Sequence, residues 1–341
     1  MTAKPRLRWD MNLLPMYFPD IHPPFDRYFE EVLDEVCLAE ELGFECYWFT
    51  EHHFLLYGGP ICNPAVFISA AAARTKKIKL GTAISIVPLR HPLQTAEDYA
   101  MADAISGGRL EFGVGRGNVQ IDYDTYRIDR DESRPRFEEA MDAILGVWSN
   151  EKYSHHGRYW EFDNVGVYPR PTQKPHPHLW VAGNSPESGL WAGRHGFDLM
   201  QVAHVRPPEM LRPNVAAWKE GLAERGETPE QHNNQMLIRV WVDENADKAH
   251  ERAHYALERF RSLSNRDGRT TGWTQADYDG MLATGRSIFG DPEQCIQGVK
   301  NALTNFEFDT MAVSLNWGGI PHDEVMRGMK LWAREVVPAF Q

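Results

Sequence analysis

A closed barrel of eight parallel strands, each followed by a helix, is the fold class that this 341-residue sequence predicts. Three observations predict it. Short β-branched and aromatic runs alternate along the chain with longer segments of helical spacing, eight such units occur, and glycine or proline punctuates the junctions. Strict alternation implies a parallel sheet with right-handed crossovers, and eight units close most economically into a (β/α)8 barrel, the TIM-barrel architecture; a doubly wound open sheet is the competing arrangement. Residues 1–341 are expected to form one such domain.

The candidate strands are 7–13, 46–49, 78–86, 109–114, 178–181, 198–202, 236–242 and 310–315, each a run rich in branched or aromatic residues. Helices are expected at 26–42, 60–74, 93–106, 134–149, 185–195, 208–225, 245–262 and 292–304, with 322–335 closing the chain. The first places Phe29, Val32, Leu33 and Val36 on one stripe, and the third has Pro92 near its start and Gly107-Gly108 just past its end. Two stretches break the repeat. Residues 150–177 mix aromatic residues, histidines and prolines irregularly, and 263–290, rich in Gly, Arg, Asp and Thr, reads as a lid-like insertion.

A hydrophobic content of 42% with 25% charge is globular, and eleven tryptophans supply ample area to bury. The formal charge of −12, with no basic block longer than Lys76-Lys77, argues against nucleic acid as a partner. Cys37, Cys46, Cys62 and Cys295 form no C-x-x-C pair, as expected of reduced thiols. The N-terminal residues reach a strand without a signal-like apolar stretch, and the small-apolar run 65–73 is about half of the ~20 residues a membrane helix needs. A soluble, cytoplasmic protein without membrane contact is the expectation.

In a barrel the residues just after each strand make the active face, so these carry the functional reading. After the second strand comes Glu51-His52-His53, where a neutral imidazole can give or take a proton near pH 7; a capping and a packing histidine would serve the same letters. After the third, Gly81, Thr82 and Ala83 would let a flat ring approach the backbone, or fill a tight interior. In "RLEFGVGRGNVQ" (109–120) the dinucleotide pattern G-x-G-x-x-G fails at Asn118, which leaves Arg116 as a cation on thin backbone, suited to a phosphate. Arg134, at a helix start, is either a second such cation or a surface ion pair. After the fifth strand, Gly183-Asn184-Ser185 opens a helix whose free N–H groups favour an anion, with Asn184, Ser185 and Ser188 as donors; simple capping by Ser185 is the alternative. His176 and His178 precede their strand and so fall at the opposite end, which argues against a metal centre.

Taken together, "EHHF", "LGTAISIVPLRHPLQTAED", "SGGRLEFGVGRG", "DESR", "VAGNSPES" and "GDPEQCIQGV" resemble the bacterial luciferase-like family of flavin-dependent monooxygenases, in order through nearly the whole chain. The resemblance implies reduced FMN at the C-terminal face of a (β/α)8 barrel and, by motif position, His52 as the catalytic histidine. It implies Arg116 and Arg134 on the FMN phosphate, Asn184, Ser185 and Ser188 in the phosphate loop, and Ala83-Ile84 as a non-proline cis peptide beneath the flavin ring. Gly115 stands where the luciferase catalytic subunit has a reactive cysteine near the ring, and Asn184 replaces an acid, so light emission is not implied.

The activity so implied is a monooxygenase in which reduced FMN and dioxygen form a flavin hydroperoxide that oxygenates a small organic substrate. The site must then be dry, and Trp9, Trp48 and Phe54 together with the insertion at 263–290 are candidates for closing it. The missing nicotinamide fingerprint implies a separate flavin reductase as transient partner. A homodimer packed through helices on the barrel side is implied as well, with helix 60–74 as a candidate face. A deazaflavin-dependent hydride-transfer enzyme on the same barrel is the alternative, and a non-catalytic flavin-binding subunit, which would lack the histidine, a further one.

Overall fold

Eight apolar runs lie side by side in one direction. In the computed structural model, which describes residues 6–264 and 274–341, they are β1 Arg8–Leu13, β2 Cys46–Phe49, β3 Lys79–Thr82, β4 Leu110–Gly115, β5 His178–Ala182, β6 Asp198–Val202, β7 Asn234–Val242 and β8 Thr310–Ser314. Every neighbouring pair is parallel, and β8 returns to β1 through Arg8 opposite Thr310 and Trp9 opposite Met311, so the sheet closes. The predicted (β/α)8 barrel is the observed one.

Parallel neighbours need a long crossover, and helices supply it. Phe25–Glu41 buries Tyr28, Val32, Leu33 and Val36 on one stripe against the sheet. Pro92–Ser106 begins after His91, whose ring accepts from the N–H of Leu93, and ends at Gly107 with φ of 69°, a left-handed stop that favours glycine. Inside the ring, alternate residues interdigitate: Cys46, Trp48, Trp180, Met200 and Ala312 form one buried cluster. Burial of each indole, roughly 200 Å² at about 25 cal/mol per Å², contributes on the order of 5 kcal/mol before entropy is charged against it.

The structure departs from the expected elements in three places. The run 78–86 is not one strand: β3 ends at Thr82, the Ala83–Ile84 peptide is cis, and Ser85–Ile86 then pairs with Val114 and Gly115 of β4. The stretch 150–177 contains an antiparallel hairpin, Tyr153–His156 with Glu161–Val165, whose turn is pinned where the Glu139 carboxylate accepts from the N–H groups of Arg158, Tyr159 and Trp160.

The third departure concerns the expected lid at 263–290, part of which (265–273) lies outside the described residues. Over its later part it is regular: Gln275–Thr284 is a helix with a Thr274/Asp277 capping box, and Ser287–Gly290 is a strand parallel to Arg239–Val242 of β7. Only Ile288 and Phe289 of its four residues are large and apolar, too few to stand out as a run, which is why that strand escapes the sequence. Trp9 and Phe54 do not line a closed chamber either. Trp9 packs edge-on against Trp332, ring centroids 6.0 Å apart, and Phe54 is exposed.

Candidate active site

The wall of β2 is wholly buried through Phe49, and the chain then turns into Glu51, His52 and His53, all three buried. Glu51 and His53 satisfy each other, with Oε1 3.0 Å from Nε2, while the other Glu51 oxygen accepts from the N–H of Ile86 at 3.4 Å. They form a strut between the second and third strand ends. His52 is different: among the described residues its Nδ1 finds no hydrogen-bond partner although it is buried. The nearest acid is Asp122, Oδ2 at 3.8 Å, and both Asp122 oxygens are likewise buried without a partner. Room for the imidazole depends on Gly58, since a Cβ there would stand 2.2 Å from His52 Cδ2. Tyr57 lies beside the ring, centroids 5.5 Å apart.

Asp122 was not anticipated. It rides on a short helix, Gln120–Tyr126, that follows β4 and is too brief to show helical spacing.

Gly115, Arg116, Arg134 and Ser188 line one cavity together with Phe137, Val181, Ala182 and Trp191, and Arg116 and Arg134 also line a wider, more polar one with Ser133. Arg116 Nη1 donates to Ser133 Oγ at 3.2 Å. Burial, and then the charge of Arg134, pulls the Arg116 guanidinium below its ordinary pKa, so the two cations are brought together at a cost. Arg134 has only a loose 3.7 Å pair with Glu138, one turn on. Ser185 caps the helix Pro186–Arg194, accepting from the Ser188 N–H at 3.4 Å, with its hydroxyl 3.2 Å from that of Ser188. Asn184 is exposed on the preceding loop and lines neither cavity.

Of the small residues at the end of β3, Gly81 and Thr82 are used up in packing. A Cβ at Gly81 would stand 2.2 Å from Trp48 Cε3, and Thr82 Oγ1 donates to the Gly113 carbonyl at 2.6 Å. Ala83 and Ile84 follow at the edge of the site, and the Ile84 side chain occupies the face of Gly115, where a Cβ would meet Ile84 Cδ1 at 2.2 Å. Paired cations near the N-terminus of Pro186–Arg194 fit an anionic group such as a phosphate.

At the other end of the barrel, His178 is engaged by Asp198 at 2.7 Å and His176 Nδ1 by the Pro177 carbonyl at 2.8 Å. Among the described residues no three His, Cys, Asp or Glu side chains gather as a metal ion would require, and no helix is long and apolar enough to cross a membrane.

Fold and site thus define a class: a (β/α)8 barrel with a cation-lined cavity and an unengaged histidine at the C-terminal ends of its strands. Residues 17–309 match the family of luciferase-like monooxygenases. The chain belongs to this family of flavin-dependent monooxygenases. It is 33% identical over 176 residues to the flavin-dependent trigonelline monooxygenase, oxygenase component, of Acinetobacter baylyi, a stretch that covers 51% of this chain and 48% of that one. The crystal structure of monooxygenase RslO1 from Streptomyces bottropensis superposes with a TM-score of 0.91 at 29% identity, covering 98% of this chain and all of the other. The oxygenating constituent of 3,6-diketocamphane monooxygenase from Pseudomonas putida, solved with FMN, shares the fold at a TM-score of 0.80 and 19% identity, over 98% of this chain and 99% of that one.

Proposed function

We propose that the protein is the oxygenase of a two-component system, which takes reduced FMN from a separate reductase and inserts one atom of dioxygen into a small organic substrate. The observation that carries this reading is the gathering of Gly115, Arg116, Arg134 and Ser188 around one cavity, with the unengaged His52 after β2, on the same face of the barrel. The FMN-bound fold neighbour and the relative named as an oxygenase component support it.

Reduced FMN, when bound, supplies the electrons that activate dioxygen. The chain's own residues do the rest. Arg116 and Arg134 hold the phosphate, aided by Ser185, Ser188 and the N-terminus of Pro186–Arg194, with Asn184 at the rim. Ala83, Ile84 and Gly115 form the shelf for the ring. His52 Nδ1, buried and without a partner, holds or releases a proton at the reacting centre, and Asp122 at 3.8 Å orients the imidazole. The deazaflavin alternative uses the same shelf but transfers hydride without oxygen.

The chain would work in the cytoplasm as a homodimer. The outer face of Pro64–Arg74, where Val66, Ala70 and Ala73 are exposed while Ala71 and Ala72 pack on the barrel, is the proposed contact, and light scattering reads the mass directly.

The test of function is rapid mixing of the protein and photoreduced FMN with oxygenated buffer. Slow reoxidation through an absorbing species distinct from oxidised and reduced FMN supports the oxygenase. Reoxidation no different from that of free flavin, with tight binding of the deazaflavin cofactor instead, overturns it in favour of hydride transfer.

A further inference from the structure

Among the described residues, one charge in the upper barrel has no counterpart. Arg239 is the inward residue of the last layer of β7, following Gln235, which bonds Asp10 inside the ring, and Leu237, which packs on the interior cluster. It is 2% exposed, and among the described residues it makes no hydrogen bond or ion pair. Its guanidinium instead lies between two aromatic faces, 4.0 Å from the centroid of Phe260 and 4.7 Å from that of Trp317. Burial pulls its pKa down to about 10, which still leaves the group charged at neutral pH.

Aromatic faces do not balance such a charge. A cation–π contact offsets only part of the desolvation cost of an unpaired buried cation. The groups around it offer nothing more. Tyr57 is neutral, its pKa raised by burial, and the half-buried His204, whose pKa is held well down by burial and by the nearby charges of Arg239 and Arg286, leaves its Nδ1 without a partner among the described residues. Arg286 turns two donors to the carbonyls of Ala203 and His204, and the acids nearest it are Glu209 and Asp277.

Beside Arg239 in register is Ser314, and on the adjoining strand is Asn12, buried, with neither its amide oxygen nor its nitrogen bonded to anything. The place is close to the proposed chemistry: Phe260 touches Tyr57, centroids 5.6 Å apart, and Tyr57 flanks His52. A buried cation, an unpartnered amide and a set of aromatic faces are the parts of a receptor for a flat acid.

We propose that Arg239 receives the carboxylate of the substrate, with Asn12 as auxiliary donor and Phe260, Trp317 and Tyr57 around the organic body, so that the enzyme acts on small aromatic or unsaturated acids. The inference rests on the oxygenase reading only for what happens next to the bound acid; the anion site itself stands on the geometry. The planar fork of arginine suits two carboxylate oxygens, and leaving it unmatched would make a neutral analogue bind poorly.

Calorimetric titration of the FMN-loaded protein with benzoate and phenylacetate, and with their neutral amides, tests the assignment. At least one acid is expected to bind wild type more than 10-fold better than its amide. Arg239→Leu should weaken the acid by roughly 10- to 100-fold, leave the amide and FMN within about 2-fold, and hold or raise the melting temperature; Arg239→Lys should recover part of the preference. Equal binding of acid and amide to wild type, no binding of either acid, or an undiminished preference in Arg239→Leu would each overturn the proposal. Loss of FMN affinity in Arg239→Leu with acid binding intact would give the arginine to the cofactor and overturn it too. Failure of wild type to bind FMN defeats the flavin reading alone, because the acid-over-amide preference can be read on flavin-free protein.

Discussion

The two ends of the barrel interior treat several of their polar groups in opposite ways, although Arg8 Nη2 at the lower end is also buried without a partner among the described residues. At the lower end, Asp10 is fully buried yet accepts from Trp48 Nε1 at 2.8 Å, Gln235 Nε2 at 3.1 Å and Arg8 Nε at 3.1 Å. Glu111 accepts from Trp180 Nε1 at 2.5 Å and pairs with Lys79. At the upper end, the nitrogen of His52, both oxygens of Asp122 and the amide of Asn12 are buried without partners, and Arg239 faces only rings. Bonded groups seal and fix the barrel; unbonded ones cost stability there, and a ligand is what would satisfy them.

The contrast is open to direct attack, and the largest effect is expected at the top. His52→Ala should lower oxygenation by about 10² to 10⁴ with little change in urea midpoint, and full turnover in that variant would remove His52 from the reaction. At the bottom the signs reverse. Glu111→Ala leaves the indole N–H of Trp180 without an acceptor and should cost about 3 kcal/mol in urea unfolding, the low end for a broken buried pair because Lys79 reaches solvent, while FMN affinity in the folded protein holds. If that variant instead lost FMN affinity without losing stability, the division between the ends would fail.

Arg116→Ala comes next, with FMN dissociation raised roughly 10- to 100-fold in a fluorescence titration; unchanged binding would sink the phosphate assignment. The smallest expected effect is on pH dependence, and it belongs to the lower end. Burial pushes the Asp10 carboxyl up to about 6, so the stability tied to its protonated form is lost as pH rises through that value. Burial works against His178, but its bond to Asp198 wins and raises its pKa, while His232 is raised chiefly by Asp198. Their contribution is full below the ordinary imidazole range and fades above it. Asp198 is opposed by burial but held down to about 2 by His178 and His232, so it loses its share only in strong acid. Between pH 6.5 and pH 8.5, above the range in which the lowered pKa values of His22, His176 and His204 add stability with rising pH, the melting temperature should therefore fall by a few degrees. Asp198→Asn should flatten the part above pH 6.5, and an unchanged slope in that variant would place the titration elsewhere.

Much of the fold was legible because it is written in local letters. Strands 46–49 and 198–202 stand where alternation places them, and the stop at Gly107 follows from a residue that tolerates positive φ. The site was legible where a motif is contiguous, as at Glu51-His52-His53 or in the glycines around Arg116. It was illegible where chemistry depends on who faces whom. Glu51 and His53 consume each other and leave His52 alone, which the three letters cannot tell, and Gly81 proves to be space for Trp48 rather than for a ligand.

Arg239 shows the division best. An arginine inside "MLIRVWV" is a visible oddity in an apolar strand, and the sequence by itself determined the strand, its place seventh in a parallel barrel, and the family. Whether that charge would find a carboxylate was decided only by tertiary structure. The ring brings Phe260, Trp317, His204 and Asn12 to it from four other segments and, among the described residues, no acid with them, because partners in a closed barrel are chosen by strand register and level, not by distance along the chain.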